Sequence, residues 1–393
     1  HSLRERVSNR GGLMARSLTV ATIQLDITPE QTATRLERAS QQIQQAVDTG
    51  AQLIVLPAAF NTGVSFAETA YEVTERLSDQ TRLWLHAQAS EHNVHIVGSF
   101  YIVEHDDTFH RAFLVAPDGT EWHYDQRYPL LWERVFYRDG HRITVADTSL
   151  GKIGFLIGWD TAHPELWESY AAKVDVLLVL HHALDTSDLT LQIDDVRLKA
   201  DELGRLGRWF ADSMSYQLRY DVREQGRWLG VPIMCAGASG TLDTILPNPL
   251  FSVGSLLIGR QEALKTAYER GADTRLVVPA QRDTGVISAN GTQLAEVTVN
   301  GDAVVTAELS LPDMPPMPDD TVPQPAMYTS DSARDVINVL SNGLLTLTYR
   351  RGVRRQWGAR MAHMSASTRL WLKALLSVSL IAFVLGWFFG RRD

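Results

Sequence analysis

Cysteine is nearly absent: Cys235 is the single one among 393 residues. That excludes an internal disulfide framework and a four-cysteine zinc site, and it fits a reducing compartment. Basic charge is scarce too, with 37 Lys and Arg against 46 Asp and Glu and a net charge of −9. Summed by segment, 14–327 carries about −18, 328–393 about +7 and 1–13 about +2. An acidic body of this kind excludes nucleic acid as a partner. Residues 1–13 (HSLRERVSNRGGL) lack the continuous apolar stretch of a signal peptide and read as an N-terminal extension before Met14. Long apolar runs are missing everywhere except Leu370–Gly390.

What is present is a folded composition, 45% hydrophobic and 21% charged. The stretch Lys152–Glu165 (KIGFLIGWDTAHPE) organises the chain. Ile153, Phe155, Leu156 and Ile157 predict a buried strand that ends at Gly158 and turns into a helix. A strand ending sharply before a helix presents a nucleophile well, because free N–H groups there steady negative charge. Gly158 offers no side chain for that task.

Around this stretch strands and helices alternate. Ser17–Leu25 and Ala51–Pro57 predict strands, and Thr28-Pro29-Glu30-Gln31 predicts a helix start, with the helix ending at Gly50. A helix over Thr81–His92, a strand over Val94–Tyr101 and a hairpin turn at Pro117-Asp118-Gly119 follow. Asp175–Leu180 and Val231–Ala236 predict further strands, and Asp185–Gly230 between them reads as a long, mostly helical section. Gly254–Ile258 reads as a strand, and Gln293–Val299 with Val304–Leu309 as a hairpin through Asn300-Gly301. Many strands with few helices predict two stacked sheets with helices outside.

Four blocks, VATIQLD, LIVLPAAFNTG, YDQRYPLLWERVF and GKIGFLIGWDTAHPELWE, resemble the nitrilase (carbon–nitrogen hydrolase) superfamily from about Leu18 to Leu309. The resemblance implies an α/β fold, an α-β-β-α sandwich that dimerises. It also implies chemistry by a Cys nucleophile, a Glu base and a Lys that supports the tetrahedral intermediate. Carried over residue by residue, the Glu position falls on Ala58, the Lys position on Gln126 and the Cys position on Gly158. A second acid of the family falls on Glu133. The expectation is therefore a chain with no catalytic residues, a pseudoenzyme of the family that binds neither cofactor nor metal. The Tyr124–Val135 loop resembles the apolipoprotein N-acyltransferase branch, which keeps its triad and carries many membrane helices before the domain.

The other candidate residues have plainer roles. Cys235 lies in an apolar strand and reads as a small buried hydrophobe. His181 and His182, adjacent at a strand end, point to opposite faces and make poor joint metal ligands. His163 and Thr161 lie near Gly158 without an activated nucleophile, and Asp160 and Glu165 read as helix anchors. Gln126, Glu133, Trp132 and Trp159 are candidates to line a pocket.

The expected organisation is an extension at 1–13, a nitrilase-like domain at 14–311, a Pro-rich linker at 312–327, a basic juxtamembrane segment at 328–366 and a transmembrane helix at 367–390. Leu370–Gly390 reaches the roughly 20 residues a bilayer needs, with Trp371 and Trp387 placed as interfacial aromatics. The expected partners are the lipid bilayer, a second copy of the chain in a homodimer or larger homo-oligomer, and a membrane protein. Arg350–Arg369 and Lys373 outnumber Arg391 and Arg392, which predicts a single-pass C-terminal anchor with the globular domain in the cytoplasm. The functional expectation is a membrane-anchored oligomeric scaffold. The alternative is a membrane-bound amidase or acyltransferase, or a small-molecule sensor, built on a non-standard site around Glu133.

Overall fold

The computed structural model describes residues 16–324 and Tyr349, apart from 105–106, 248–252, 255, 271–273, 312–313 and 319. At 206, 210, 213–221 and 270 it describes the backbone alone.

Alternating burial builds the two central sheets. In Arg16–Asp26, Leu18 and Val20 face one side, and Ala21, Ile23 and Leu25 the other. Both faces are apolar, so both must be covered. This strand pairs in parallel with Leu53–Ala58, which pairs in parallel with His95–Glu104, followed antiparallel by Asp107–Val115 and Glu121–Asp125. Ala303–Leu311 closes the other side of Arg16–Asp26, where Ala238–Ser239 also adds a short parallel pairing. The second sheet runs in the order Gln293–Glu296, Gly285–Ile287, Ile233–Ala236, Val176–Leu180, Gly151–Ile157, Val145–Thr148.

Between the sheets lies one core, with Leu53, Val55 and Val97 facing Phe155, Ile157, Leu178 and Met234. Helices Thr32–Asp48 and Gln80–His92 cover the outer face of the first sheet through Ile43, Ala46, Leu85 and Ala89. Helices Pro164–Tyr170 and Arg205–Leu229 cover the second through Trp167, Tyr170, Val222 and Leu229. The α-β-β-α sandwich is thus the fold.

Four local expectations are corrected. The helix expected from Thr28 begins at Thr32. Residues Thr28–Glu30 stay outside it because Arg35 Nη1 donates to the carbonyls of Asp26 and Thr28, at 2.8 and 3.0 Å. The section Asp185–Gly230 is only half helical. Thr190–Ile193 and Val196–Lys199 form a hairpin in a third, four-stranded sheet with Arg275–Pro279 and Thr241–Ile245, and the helix starts at Arg205. Around Gly254–Ile258 the described residues turn where a strand was expected. Finally, Gln293–Glu296 and Ala303–Leu311 do not pair. The first joins the second sheet and the second joins the first, so the Gly301 turn (φ 85°) crosses the sandwich.

The proline-rich stretch runs along the helix Arg205–Leu229: Trp228 Nε1 donates to the Asp320 carbonyl at 2.7 Å, and Val322 is buried in the outer core. Tyr349 is buried as well, its hydroxyl donating to Asp107 at 2.7 Å and its ring 3.9 Å from the Arg138 guanidinium. Among the described residues no helix is long and apolar enough to cross a membrane, and Leu370–Gly390 lies outside them.

Candidate functional site

The strand Gly151–Ile157 ends at Gly158, which takes a left-handed conformation (φ 52°) and opens a single helical turn to Ala162. Glycine adopts this conformation without the steric cost that a β-carbon brings. A β-carbon there would stand 3.3 Å from Gln126 Nε2 and 3.9 Å from Glu133 Oε1. The elbow therefore aims at those two residues.

Asp160 pins the elbow to its neighbour. Its carboxyl accepts from Tyr124 Oη (2.7 Å), Tyr128 N (2.8 Å), Arg127 N (3.0 Å) and Ile157 N (3.2 Å). This joins the two loop ends, so Asp160 anchors the elbow and not the following helix, at whose start His163 sits. Burial pushes the Asp160 carboxyl up to about 7, against the pull of its hydrogen bonds. Thr161 Oγ1 donates to the Gly158 carbonyl at 3.0 Å and is not brought to Glu133.

Glu133 is held by its own turn. Leu130 N donates to Glu133 Oε2 at 2.7 Å across the helical turn Leu131–Val135. From this carboxylate a buried chain of hydrogen bonds runs in both directions. Gln126 Nε2 donates to Glu133 Oε2 at 3.1 Å, and Gln126 Oε1 lies 3.1 Å from His110 Nδ1. His110 Nε2 is 3.0 Å from Ser99 Oγ. On the other side His182 Nε2 is 3.2 Å from Glu133 Oε1.

The chemistry of these groups assigns each proton. A carboxylate only accepts, so the Gln126 amide nitrogen faces Glu133 and its oxygen faces His110. His110 Nδ1 then carries the proton, and its Nε2 accepts from Ser99. Burial drives the His110 pKa down to about 3, which agrees with a neutral ring that has one donor and one acceptor. Burial alone would raise Glu133, but the hydrogen bonds from His182 and the Leu130 N–H help to outweigh it, and the carboxyl is held below its usual value.

Above Gly158 and Glu133 lies a cavity of about 80 Å³. Phe66, Leu130, Leu131, Trp132, Trp159, Ala183 and Leu184 make its apolar wall, with Glu133, Gly158, His181, His182 and Thr186 as the remainder. The Phe66 and Trp132 rings, 5.5 Å apart, close one side.

The structure thus gathers Gln126, Glu133, Gly158, Trp132 and Trp159, as their positions in the blocks imply. Ala58 is buried at the end of its strand, opposite Ser99 in register, one step from the hydrogen-bonded chain. His181 and His182 diverge as expected, His181 Nε2 to Asp283 at 3.3 Å and His182 to Glu133. Cys235 is buried on the outer side of the second sheet, its thiol pushed up by burial, and lines no part of this cavity. Sequence reasoning missed Ser99, His110 and the role of His182, since nothing local marks a residue whose partner comes from another strand. Among the described residues no group of His, Cys, Asp and Glu could hold a metal ion.

Residues 19–193 match the carbon–nitrogen hydrolase family model. A nitrilase of Pyrococcus abyssi is 29% identical over 140 residues, 35% of this chain and 53% of the relative. The omega-amidase YafV of Escherichia coli is 27% identical over 132 residues, 33% of this chain and 50% of the relative. The chain therefore spans about half the length of the curated relatives it matches. Nit3 of Saccharomyces cerevisiae, a member of branch 10 of the nitrilase superfamily, shares the fold with a TM-score of 0.54 and 18% identity, over 76% of this chain and 92% of Nit3. The expectation that this chain is no enzyme is corrected by these findings: the relatives it matches carry the names of enzymes, a nitrilase and an omega-amidase.

Proposed function

The chain belongs to the carbon–nitrogen hydrolase superfamily through residues 19–193, and from that membership we propose that it hydrolyses the C–N bond of a small, neutral acyl compound in the cavity above Gly158. The observation that carries this is the cavity itself, apolar on most of its wall and closed at one end by the ionised Glu133 and its partner His182. Pockets with an apolar lining and few convergent polar groups are where small ligands bind.

Residue 158 provides no thiol, so water is the nucleophile. The point where a β-carbon on residue 158 would stand lies 3.3 Å from Gln126 Nε2 and 3.9 Å from Glu133 Oε1, so a water seated slightly closer to that carboxylate has it as its base. Attack forms the C–O bond, passes the water's proton to Glu133 and then to the leaving nitrogen, and breaks the C–N bond. The products are the acid and ammonia or an amine. General-base assistance of this kind contributes roughly 10²–10⁴-fold. The test is ammonia release from short carboxamides by the full-length protein. Turnover that falls at least about a hundredfold in Glu133→Gln supports the reading. Turnover equal in the two proteins, or none in either, overturns it.

We further propose that the enzyme is held at the cytoplasmic face of a membrane by Leu370–Gly390 and works as a homodimer or larger assembly, with 14–311 as the globular domain and 312–366 between domain and anchor. The apolar run, the basic residues that precede it and the half-exposed Trp209 support this. The side chain of the adjacent Phe210 lies outside the described residues. Protease added to intact cells should spare the body, and detergent-purified protein should sediment above the monomer mass. Cleavage from outside reverses the topology, and a monomer removes the assembly.

A further inference from the structure

Among the described residues, a residue of the cavity wall carries a buried polar atom whose bonding is incomplete. His182 is buried, 7% exposed, and lines the cavity, yet its Nδ1 has no hydrogen-bond partner among the described residues. A buried polar atom without a partner costs about 1–3 kcal/mol, so such an atom in a cavity wall points to a ligand. Its other nitrogen is committed. Nε2 faces Glu133 Oε1 at 3.2 Å, and because that carboxylate only accepts, Nε2 carries the proton and donates. In the neutral ring Nδ1 is therefore a lone pair that accepts.

This polarity is set from a distance. Glu133, an ionised carboxylate, accepts from Leu130 N and Gln126 Nε2, and it thereby turns the Gln126 oxygen to His110 Nδ1 as well as the His182 Nε2 proton to itself. The chain Ser99–His110–Gln126–Glu133–His182 has one consistent proton order, and its last atom is an acceptor on a residue of the cavity wall.

We propose that His182 is the specificity-determining residue of the cavity, selecting small neutral ligands that present an N–H donor to its Nδ1 over ligands of the same shape that lack one. Resting on the cavity reading above, the proposal adds which residue discriminates and in which sense. Sites built to hydrogen-bond a ligand reject the analogue without the matching group, because the site's own polar atom is then left unpaired.

The probes are propionamide and butanone, which differ by NH2 in place of CH3 on the same carbonyl carbon. Binding of each to the full-length protein is followed by ligand-observed NMR titration at a pH where histidine is neutral. Because butanone is the more apolar, the quantity that decides is the ratio of the two dissociation constants, wild type against variant. His182→Gln keeps a side-chain N–H for Glu133 and lacks the second ring nitrogen. The amide preference should fall about tenfold in this variant, roughly one hydrogen bond's worth, with thermal unfolding within a few degrees of wild type. His182→Asn, whose amide oxygen sits near the position of Nδ1, should retain part of the preference, which a packing defect alone would not allow. If His182→Gln folds and keeps the wild-type ratio, the role of His182 is overturned and the cavity reading stands. If neither probe binds the wild type, the cavity reading itself falls and takes this one with it.

Discussion

Replacing Glu133 by Gln tests the proton order at its centre. The carboxylate accepts from Leu130 N, Gln126 Nε2 and His182 Nε2 at 2.7, 3.1 and 3.2 Å. A glutamine oxygen can still accept from Leu130 and Gln126, but its NH2 would face His182 Nε2. The imidazole must then move its proton to Nδ1, and the cavity-wall atom changes from acceptor to donor. Hydrogen bonds to a charged group contribute about 1.5–3 kcal/mol and neutral ones about 1. Relief from burying the charge offsets part of that difference, so the variant should lose roughly 1–2 kcal/mol at neutral pH. In thermal unfolding this is a fall of a few degrees.

The pH dependence supplies the sharper readout. The folded Glu133 carboxyl titrates below its usual value of 4.5. Its stabilisation is therefore complete above that value and is lost as pH falls through the lower, folded one. The gap in unfolding temperature between wild type and Glu133→Gln should be largest at neutral pH and close on acidification below about 4.5. A gap that stays constant from neutral to acid pH would refute an ionised Glu133 and, with it, the acceptor assigned to His182. A second check is ligand preference. The variant's preference for propionamide over butanone should be weaker than that of wild type, because Nδ1–H can no longer accept the amide N–H, whereas both probes keep the carbonyl.

Three further outcomes follow from neighbouring geometry. Gly158→Ala places a β-carbon in a left-handed conformation, 3.3 Å from Gln126 Nε2, and should cost roughly 1–2 kcal/mol in denaturant unfolding; a neutral result would mean the elbow is not held as described. Asp160 has its folded pKa raised from 3.8 to about 7, so its contribution is complete below 3.8 and lost as pH rises towards 7. Asp160→Asn should therefore flatten the unfolding-temperature profile between those limits, and an unchanged slope would exclude a buried, late-titrating Asp160. Tyr349→Phe removes the hydroxyl that bonds Asp107 and Thr108 but keeps the ring on Arg138. A loss of about 1 kcal/mol in chemical denaturation of the full chain is expected, and no loss would place Tyr349 outside the body.

How far the sequence reveals this protein depends on how far apart in the chain the interacting groups lie. The strand Gly151–Ile157 and the hairpin turn at Pro117–Gly119 are legible because β-branched runs and turn residues act within a few positions. The hairpin Thr190–Lys199 is a different miss. Leu189, Leu191 and Ile193 are buried and alternate with half-exposed neighbours, so the two-residue period was there, masked by the charged helical section that follows. Asn300-Gly301 shows the opposite limit. A turn signal says that the chain reverses, but the partner of each arm is chosen by which sheet buries it, and here the arms separate. The site divides along the same line. Gln126, Glu133 and Gly158 could be placed because sequence blocks carry them, whereas Ser99 and His110 meet only through the register of two antiparallel strands. His182 reaches Glu133 only after two loops fold over the same sheet end. Its incomplete bonding is a property of that enclosure, because an imidazole in water would find a partner for either nitrogen. The functional information in His182 therefore arises only when burial removes that alternative.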